Sequence, residues 1–528
     1  MKECKYPDPF RPIVTFNDHQ TQLNILPTSY LLHPLCSSPS PKFGQPSEVR
    51  DQFYFYYFRQ RTCVHLSSLL PVTFWNHFVL PMSANSLPVQ YAILALAAQH
   101  KAYTELGQRQ TIVTESQEIY PLSNYGKAIR WLHCLIASES SSTRMVQETL
   151  VACLLFICLN ILQGNDFGAM THLNSGLHII AHLAKSLRGV YCDSDSCDAP
   201  ISQLIETFQR LDLQAALYLG SHQIRSVATE FGCRPNCPIL KDYTRIFQSL
   251  EEARKALTEI VLSASHFMRS TAEPLKYLEF EALDGRQKRQ RHALHLRHTY
   301  IQNLHEWLRS FETYMSGLPL GRQKIEKSQG SKCSISYAQT KIALSVCLTP
   351  DETEYDGYLP LFLNILRDAE DILFSTKLSH SQATGLQHKL SPLFDLEVSV
   401  IQPLYFTALK CRVSAVRYRA IALMYQTGKE GVWDGALMAR IAEHAAKLEE
   451  NQTHPINIEG TTAILEENRV CGVAINLLRK ESKVWIQCST RRWLAACSSF
   501  GNSVTESGTS TEQDEGYVWE FHEDIITW

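Results

Sequence analysis

From residue 51 onward, apolar side chains recur at intervals of three and four residues, and this spacing constrains the fold more than any other feature. Residues at such intervals share one face of an α-helix, which is then buried against a neighbour. Two clear stripes are Val89, Ile93, Leu96, His100 and Ile201, Leu204, Ile205, Phe208, Leu211. No series of alternating apolar and polar runs joined by Asn-Gly or Asp-Gly turns is found. The pattern predicts an all-α fold, a large multi-helix bundle or solenoid-like body.

The composition divides the chain into three predicted regions. Residues 1–50 contain eight prolines and predict an extended linker, because proline lacks the backbone donor that a helix interior needs. Residues 51–500 carry the helical pattern and predict the body. Residues 501–528 form a tail in which acidic and aromatic residues alternate without lysine or arginine. Such a tail is typical of a disordered activation segment, or of a terminal peptide docked by its aromatic side chains onto the body.

Local signals predict several element ends. Ser123 and Asp434 are candidate N-caps of helices. The longest uncharged stretch, between Glu148 and Asp166, predicts a buried helix rather than a membrane span, because it is short and contains polar residues. Loops are expected at 187–199, 232–242, 321–336 and 349–358.

Composition excludes some classes of function. The 528-residue chain has a formal net charge of -3, which argues against a whole-surface electrostatic grip on nucleic acid. Its sixteen cysteines are scattered, and several lie within apolar runs, which suits a reduced compartment where a thiol behaves as a small hydrophobe. The first ten residues are charged and proline-containing, so no secretory signal is expected. We expect an intracellular protein without a membrane span.

A search for catalytic chemistry finds no recognisable signature. The phosphate-binding patterns G-x-x-x-x-G-K-[ST] and G-x-G-x-x-G, placed between a strand and a helix, are not found, and neither is the G-x-S-x-G elbow. The sequence therefore predicts that the protein is not an enzyme and has no cofactor-binding or catalytic residues.

The candidate metal ligands in the sequence are also interpreted as residues without a chemical role. His178 and His182 lie four residues apart on a predicted helix, but the glutamate of an H-E-x-x-H motif is missing, so packing or solvent exposure is favoured over zinc binding. A second histidine series, His292, His295 and His298, winds around its helix and is interpreted in the same way. Two cysteine pairs lack the compact Cys-x2-Cys spacing and are separated by a long predicted helix: Cys192 with Cys197, and Cys233 with Cys237. We predict no metal site.

One cluster of basic residues, the basic patch, is a candidate nuclear-import signal or nucleic-acid contact, with an ordinary exposed helix face as the alternative. It consists of Arg286, Lys288, Arg289 and Arg291.

Several helical motifs together resemble the regulatory region of fungal zinc-cluster transcription factors. The opening motifs are a tyrosine-rich helix, an Arg-Thr pair, a Ser-Leu turn, a Phe-Trp pair and an A-I-x-A-L-x-A-x-H helix. The residues that carry them are Arg61, Thr62, Ser67, Phe74, Trp75, Ala92, Ile93, Ala95, Leu96, Ala98 and His100. Further similar segments follow in the same order to about residue 448. The resemblance therefore extends over roughly three quarters of the chain.

The sequence differs from the family pattern in its cysteines. The DNA-binding module of that family is a compact run of six cysteines, whereas this sequence has only Cys4 and Cys36 before residue 51. We expect either a member without the module or a sequence that lacks an upstream exon, and no DNA-contacting residue can be assigned.

What the resemblance implies is a nuclear transcription regulator that controls the genes of one pathway, such as a specialised-metabolite gene cluster. Its implied partners are the transcription machinery or a DNA-binding protein, with a homodimer or heterodimer as further options. A helical protein–protein adaptor without a transcriptional role is the alternative, and a helical enzyme without a readable motif is a third.

Overall fold

A computed structural model describes residues 49–67, 69–108, 115–137, 142–187, 199–219, 246–276, 283–384, 394–395, 400–451, 457–458, 461–462, 464–478, 483–494 and 516–527. Nearly all of the predicted linker at residues 1–50 lies outside this described part. The predicted loop at 232–242 and the cysteine pairs at 192–197 and 233–237 lie outside it too. The described residues are predominantly helical, which confirms the predicted all-α fold.

The first half of the chain consists of helices around one hydrophobic cluster, which we call the N-terminal core. Five of its helices are 21 to 23 residues long and pack against one another, and the shorter helices near the N-terminus pack beside them. Its helices are α1 Val49–Tyr57, α2 Cys63–His65, α3 Val72–Phe74, α4 Leu80–Ser83, α5 Leu87–Gln108, α6 Glu115–Ala137, α7 Thr143–Gln163, α8 Asp166–Leu187 and α9 Ala199–Leu219.

Helix α7 is the centre of the N-terminal core. Every residue from 148 to 162 is buried, which confirms the buried helix predicted for the uncharged stretch. The Ser142 hydroxyl accepts a hydrogen bond from the amide of Met145, and Gly164 ends the helix in the left-handed conformation (φ 70°) that glycine adopts readily. Among the described residues α7 alone is long and apolar enough to cross a membrane, and 83% of its most apolar window is buried inside the protein.

The second half forms the C-terminal core, which combines helices with short strands. Its helices are α10 Leu250–Phe267, α11 Glu273–Lys276, α12 Leu283–Gly317, α13 Leu320–Val346, α14 Leu359–Thr384, α15 Ile401–Lys410, α16 Ser414–Met424 and α17 Gly435–Asn451. Its strands are β1 Phe394–Asp395, β2 Lys429–Glu430, β3 Trp433–Asp434, β4 Asn457–Ile458, β5 Thr461–Thr462, β6 Gly472–Leu478, β7 Lys483–Leu494 and β8 Gly516–Thr527.

A three-stranded antiparallel sheet, in the order β6-β7-β8, covers one side of the C-terminal core. Val484, Ile486 and Cys488 alternate along the central strand and are fully buried, so one face of the sheet packs on the helices. The residue patterns described above did not predict this sheet. Residues 516–527 of the tail are docked, but by strand pairing with β7 along their whole length rather than by the aromatic side chains that were expected to hold them, since Phe521 is 38% exposed.

Two local predictions are wrong and one is confirmed. The expected loop at 321–336 lies inside α13, where Gly330 lets α13 approach α12: a Cβ added there would lie 3.1 Å from the Met315 Cε. Ser123 is not an N-cap, because α6 begins at Glu115 and continues through Pro121. The Asp434 carboxylate does accept a hydrogen bond from the Leu437 amide at 3.1 Å and caps α17 as predicted.

Candidate ligand cavity between the two cores

A cavity of about 210 Å³ lies where the two cores meet. Its wall includes Arg210 and Gln214 of α9, a helix that packs in the N-terminal core. The rest of its wall comes from α10 and Met268 directly after it, and from α13, α15 and β3, which belong to the C-terminal core. We call it the junction cavity. Its position means that a bound molecule would contact both halves of the body at once.

The hairpin of β2 and β3 connects the two cores beside this cavity. Gly431 makes the turn with φ 56°, in the left-handed region. The Lys429 ammonium donates a hydrogen bond to the Ile161 carbonyl at the end of α7, at 2.8 Å. Val432 packs against both cores, and the next residue, Trp433, is 2% exposed and lines the cavity. The hairpin therefore places one wall of the cavity by contacts with both halves.

The lining combines positive charge, amides and hydroxyls with apolar surface. The cationic side chains are Arg210, Arg254 and Lys332, and no aspartate or glutamate is found among the described residues of the wall. Four glutamines contribute amides: Gln214, Gln329, Gln339 and Gln402. Apolar surface comes chiefly from Leu257, Val261, Met268 and Trp433. Such a mixture favours a small molecule with a polar, negatively charged end and an apolar body.

Contacts with neighbours hold the two guanidinium groups of the wall in place. The Arg254 guanidinium forms an ion pair with Glu251 on the same helix, with 2.5 Å between the nearest nitrogen and oxygen. Hydrogen bonding by Arg254 is the largest influence on Glu251 and lowers the pKa of that carboxyl. The Arg210 guanidinium donates a hydrogen bond to the Leu69 carbonyl at 2.5 Å. These contacts orient the guanidinium groups before any ligand arrives.

A second group of charged residues, the ionic network, lies buried in the C-terminal core. The Glu449 carboxylate accepts hydrogen bonds from Arg412 (3.0 Å), from Arg417 and from the Val470 amide (2.7 Å). Glu352 accepts from Lys410 at 2.8 Å and from Arg412 at 3.2 Å. The network joins α15, α16 and α17 to the segment that leads into β6. Its close partnering indicates a structural role.

The electrostatics of the ionic network favour the ionised carboxylates. Burial alone would raise the pKa of Glu352, but the charges of Lys410 and Arg412 outweigh burial and lower it. The Arg469 guanidinium adds a bidentate pair with Asp356, at 2.9 and 2.7 Å.

The structure places the basic patch on α12. Lys288, Arg289 and Arg291 are exposed, and the side chain of Arg286 lies outside the described part. The nearby Arg297 does not extend the patch, since its guanidinium donates a hydrogen bond to the Ser345 carbonyl at 3.2 Å. The patch is thus an accessible basic surface, and its role stays a prediction.

The histidines singled out as metal candidates do not converge. His178 and His182 are both exposed on α8, and His292, His295 and His298 are exposed on α12. Within the part of the chain that the structure describes, no group of three or more His, Cys, Asp or Glu side chains could hold a metal ion.

The motif residues behind the family resemblance meet in the N-terminal core. The Thr62 hydroxyl and the His100 Nδ1 are 3.0 Å apart, and the other ring nitrogen of His100 lies 3.3 Å from His65. Burial, and then the nearby His65, lowers the pKa of His100 to about 3. The Trp75 indole donates to the Leu70 carbonyl at 3.0 Å. These residues pack and form hydrogen bonds inside the N-terminal core, so the motifs reflect the way this fold is stabilised.

The junction cavity was not found from the sequence. Its wall is assembled from segments that are far apart along the chain, each of which contributes only a few turns of helix. No local spacing signals such a site. The only available signal was the position of cationic and amide residues along apolar helices, which is also typical of solvent-exposed surfaces.

The described residues thus define a large helical domain with two cores and a cavity between them that is partly open to solvent. Residues 53–348 match the family described as the fungal specific transcription factor domain, and the chain belongs to this family. The match includes the N-terminal core and continues through α13, so it covers both helices that face each other across the cavity, α9 and α13.

One curated relative carries a functional name. The chain is 23% identical to the aspercryptin biosynthesis cluster-specific transcription regulator atnN of Emericella nidulans, over 62% of this chain and 62% of the relative. The chain therefore spans about three fifths of the length of that protein. No solved structure matches the chain.

Proposed function

We propose that this chain is the regulatory body of a transcription regulator that controls the genes of one biosynthetic pathway. The observation that carries the proposal is the family domain over residues 53–348. The name of the relative from Emericella nidulans supports the narrower, pathway-specific role.

The proposed body acts by binding other proteins and does not bind promoter DNA with its own surface. The six-cysteine run of the zinc-cluster module is not found in the sequence, and the net charge of -3 gives no general attraction to DNA. Protein partners of the transcription machinery, or a DNA-binding partner, would supply that contact. A homodimer or heterodimer of the body is compatible with this role.

A tethering experiment tests the proposed function. The chain is fused to an unrelated DNA-binding domain whose sites lie upstream of a reporter gene in a fungal host. We expect reporter output to change at least several-fold relative to the DNA-binding domain alone. Unchanged output would contradict the proposal. Tight, sequence-specific binding of DNA by the purified chain in a gel shift would contradict the part that assigns DNA contact to other proteins.

We also propose nuclear residence, with the basic patch as the import signal. Replacement of Lys288, Arg289 and Arg291 with glutamine should lower the nuclear fraction of a fluorescent fusion. The matched control replaces Lys127, Arg130 and Arg322, which are equally exposed basic residues elsewhere on the surface. Cytoplasmic residence of the unaltered chain under all conditions would favour the adaptor function instead.

A further inference from the structure

We propose that the junction cavity binds a small aromatic carboxylate, and that this ligand stabilises one arrangement of the two cores. The inference concerns binding by the body itself. Only its regulatory consequence rests on the proposed function.

The charge of the wall selects an anion. Arg210, Arg254 and Lys332 all line the cavity, and the described part of the wall contains no carboxylate that would attract a cation. Guanidinium and ammonium groups donate strong, charge-assisted hydrogen bonds to carboxylate oxygens. Glu251 compensates the charge of Arg254, but Arg210 on α9 and Lys332 on α13 still contribute positive charge, so the wall disfavours an ammonium ligand.

The apolar part of the wall selects the remainder of the ligand. Trp433 is 2% exposed and presents an aromatic ring, and Met268 presents a thioether, a group that packs well against aromatic rings. Leu257 and Val261 add aliphatic surface from α10. Buried amides and hydroxyls, such as Gln402 and Thr340, can bond to ring substituents. The lining thus suits an aromatic ring with one acidic group.

The volume limits the size of the ligand. A cavity of roughly 150 Å³ is known to hold one benzene molecule, and the junction cavity has about 210 Å³. The additional space accommodates a carboxylate and a small substituent on a single ring. A fused multi-ring ligand would extend beyond this volume towards the open side of the cavity.

The position of the cavity gives the ligand a regulatory consequence. Arg210 and Gln214 lie on α9 in the N-terminal core, whereas Arg254 and Lys332 lie on helices of the C-terminal core. A ligand that contacts both sides stabilises the arrangement in which all of these groups converge, in proportion to its preference for that arrangement. Ligand concentration would then control which surface the body presents to its partners.

Binding is tested on the purified full chain with three probes of matched shape: benzoate, benzamide and benzylamine. We expect benzoate to raise the melting temperature and to give a measurable dissociation constant by calorimetry. Benzamide and benzylamine should bind at least tenfold more weakly. Equal binding of benzoate and benzamide would overturn the inference.

Variants place the probe in the cavity. Lys332→Met should weaken benzoate binding about tenfold or more and reduce the preference for benzoate over benzamide, because it removes a charge that faces the carboxylate. Lys327→Met on the same helix is the control, since Lys327 pairs with Asp371 at the surface, 2.8 Å away, and does not line the cavity. Unchanged benzoate binding by a folded Lys332→Met protein would overturn the assignment.

A cavity-filling variant keeps the test decisive if the Lys332 variant does not fold. Ala343 lines the cavity, so Ala343→Leu should weaken benzoate and benzamide alike without a change of charge. Persistence of benzoate binding in that variant would place the ligand elsewhere and overturn the inference. Loss of binding says nothing against the proposed function, because the tethered reporter assay without added ligand tests that function separately.

Discussion

Both cores bury many apolar side chains, and the N-terminal core surrounds a helix whose residues 148–162 are all buried, but the C-terminal core also encloses a group of charged side chains that are almost as inaccessible. In the first region the free energy of folding comes from the removal of apolar surface from water, which is non-directional and tolerates rearrangement. In the second, Glu352, Arg417 and Glu449 are each 1% exposed and depend on specific partners. Ion pairs of this kind hold one geometry and are costly to break. The two cores should therefore respond differently to mutation and to pH.

The largest effect is expected from breaking the ionic network. Glu449→Ala removes the acceptor shared by Arg412, Arg417 and the Val470 amide and leaves two buried guanidinium groups with less compensation. We expect a loss of about 3–5 kcal/mol in the free energy of unfolding, measured by urea denaturation. The matched control is Glu370→Ala, whose pair with Arg419 is exposed and should matter by about 1 kcal/mol or less. Equal effects of the two substitutions would contradict the assignment of this stability to the buried ionic network.

Truncation in the N-terminal core should be costly for a different reason. Leu155 of α7 is fully buried, so Leu155→Ala loses transfer free energy and leaves a cavity, at a cost of about 2–5 kcal/mol. The control is Leu294→Ala, where the leucine is 41% exposed and the change should stay within about 0.5 kcal/mol. Differential scanning calorimetry of both proteins measures the effect.

As the pH falls, the N-terminal core should lose stability at a higher pH than the ionic network does. The pKa of His100 is about 3 in the folded protein against an ordinary value of 6.5, so the folded state binds fewer protons there than the unfolded state does. This stability is fully present above pH 6.5 and is lost as the pH falls towards 3, at about 1.4 kcal/mol per pH unit. The lowered pKa of Glu352 acts in the same direction, but only below its ordinary value of 4.5.

Unfolding curves at pH 7 and pH 5 test this assignment. His100→Gln should reduce the pH dependence over that interval, while His178→Gln, at an exposed position on α8, should preserve it. An unchanged slope in His100→Gln would mean that another group carries the pH dependence.

The smallest predicted effect concerns the hairpin that joins the two regions. Asp434→Ala removes the cap of α17, whose carboxylate accepts from the Leu437 amide at 3.1 Å. A lost N-cap costs about 1 kcal/mol. Thermal unfolding should show this modest loss, and Asp434→Asn, which can still accept the hydrogen bond, should restore most of it.

The N-terminal core was the easier region to predict from the sequence. The stripe of Val89, Ile93, Leu96 and His100 is buried as expected, because helical spacing is a local signal that fixes which face becomes buried. The same signal failed for residues 321–336, where serines, lysines and two glycines obscure a helix that is stabilised by its neighbours.

The C-terminal core was harder to predict because its contacts are long-range. In strand β7, Val484, Ile486 and Cys488 occupy every second position, and this period of two is typical of a strand. Its partner β8, by contrast, lies in an acidic segment that is equally typical of a disordered tail. The pairing of Arg412 with Glu449, and the convergence of cations on the junction cavity, depend on tertiary structure and have no local signature.

Hydrogen exchange of the Glu449→Ala protein, read by mass spectrometry, tests most directly whether the two cores are stabilised separately. We predict faster exchange in peptides from 352–358, 410–417, 464–478 and 483–494, with α5 and α7 as protected as in the unaltered chain. Equal loss of protection in α7 and in the ionic network would show a single cooperative unit and would contradict the account.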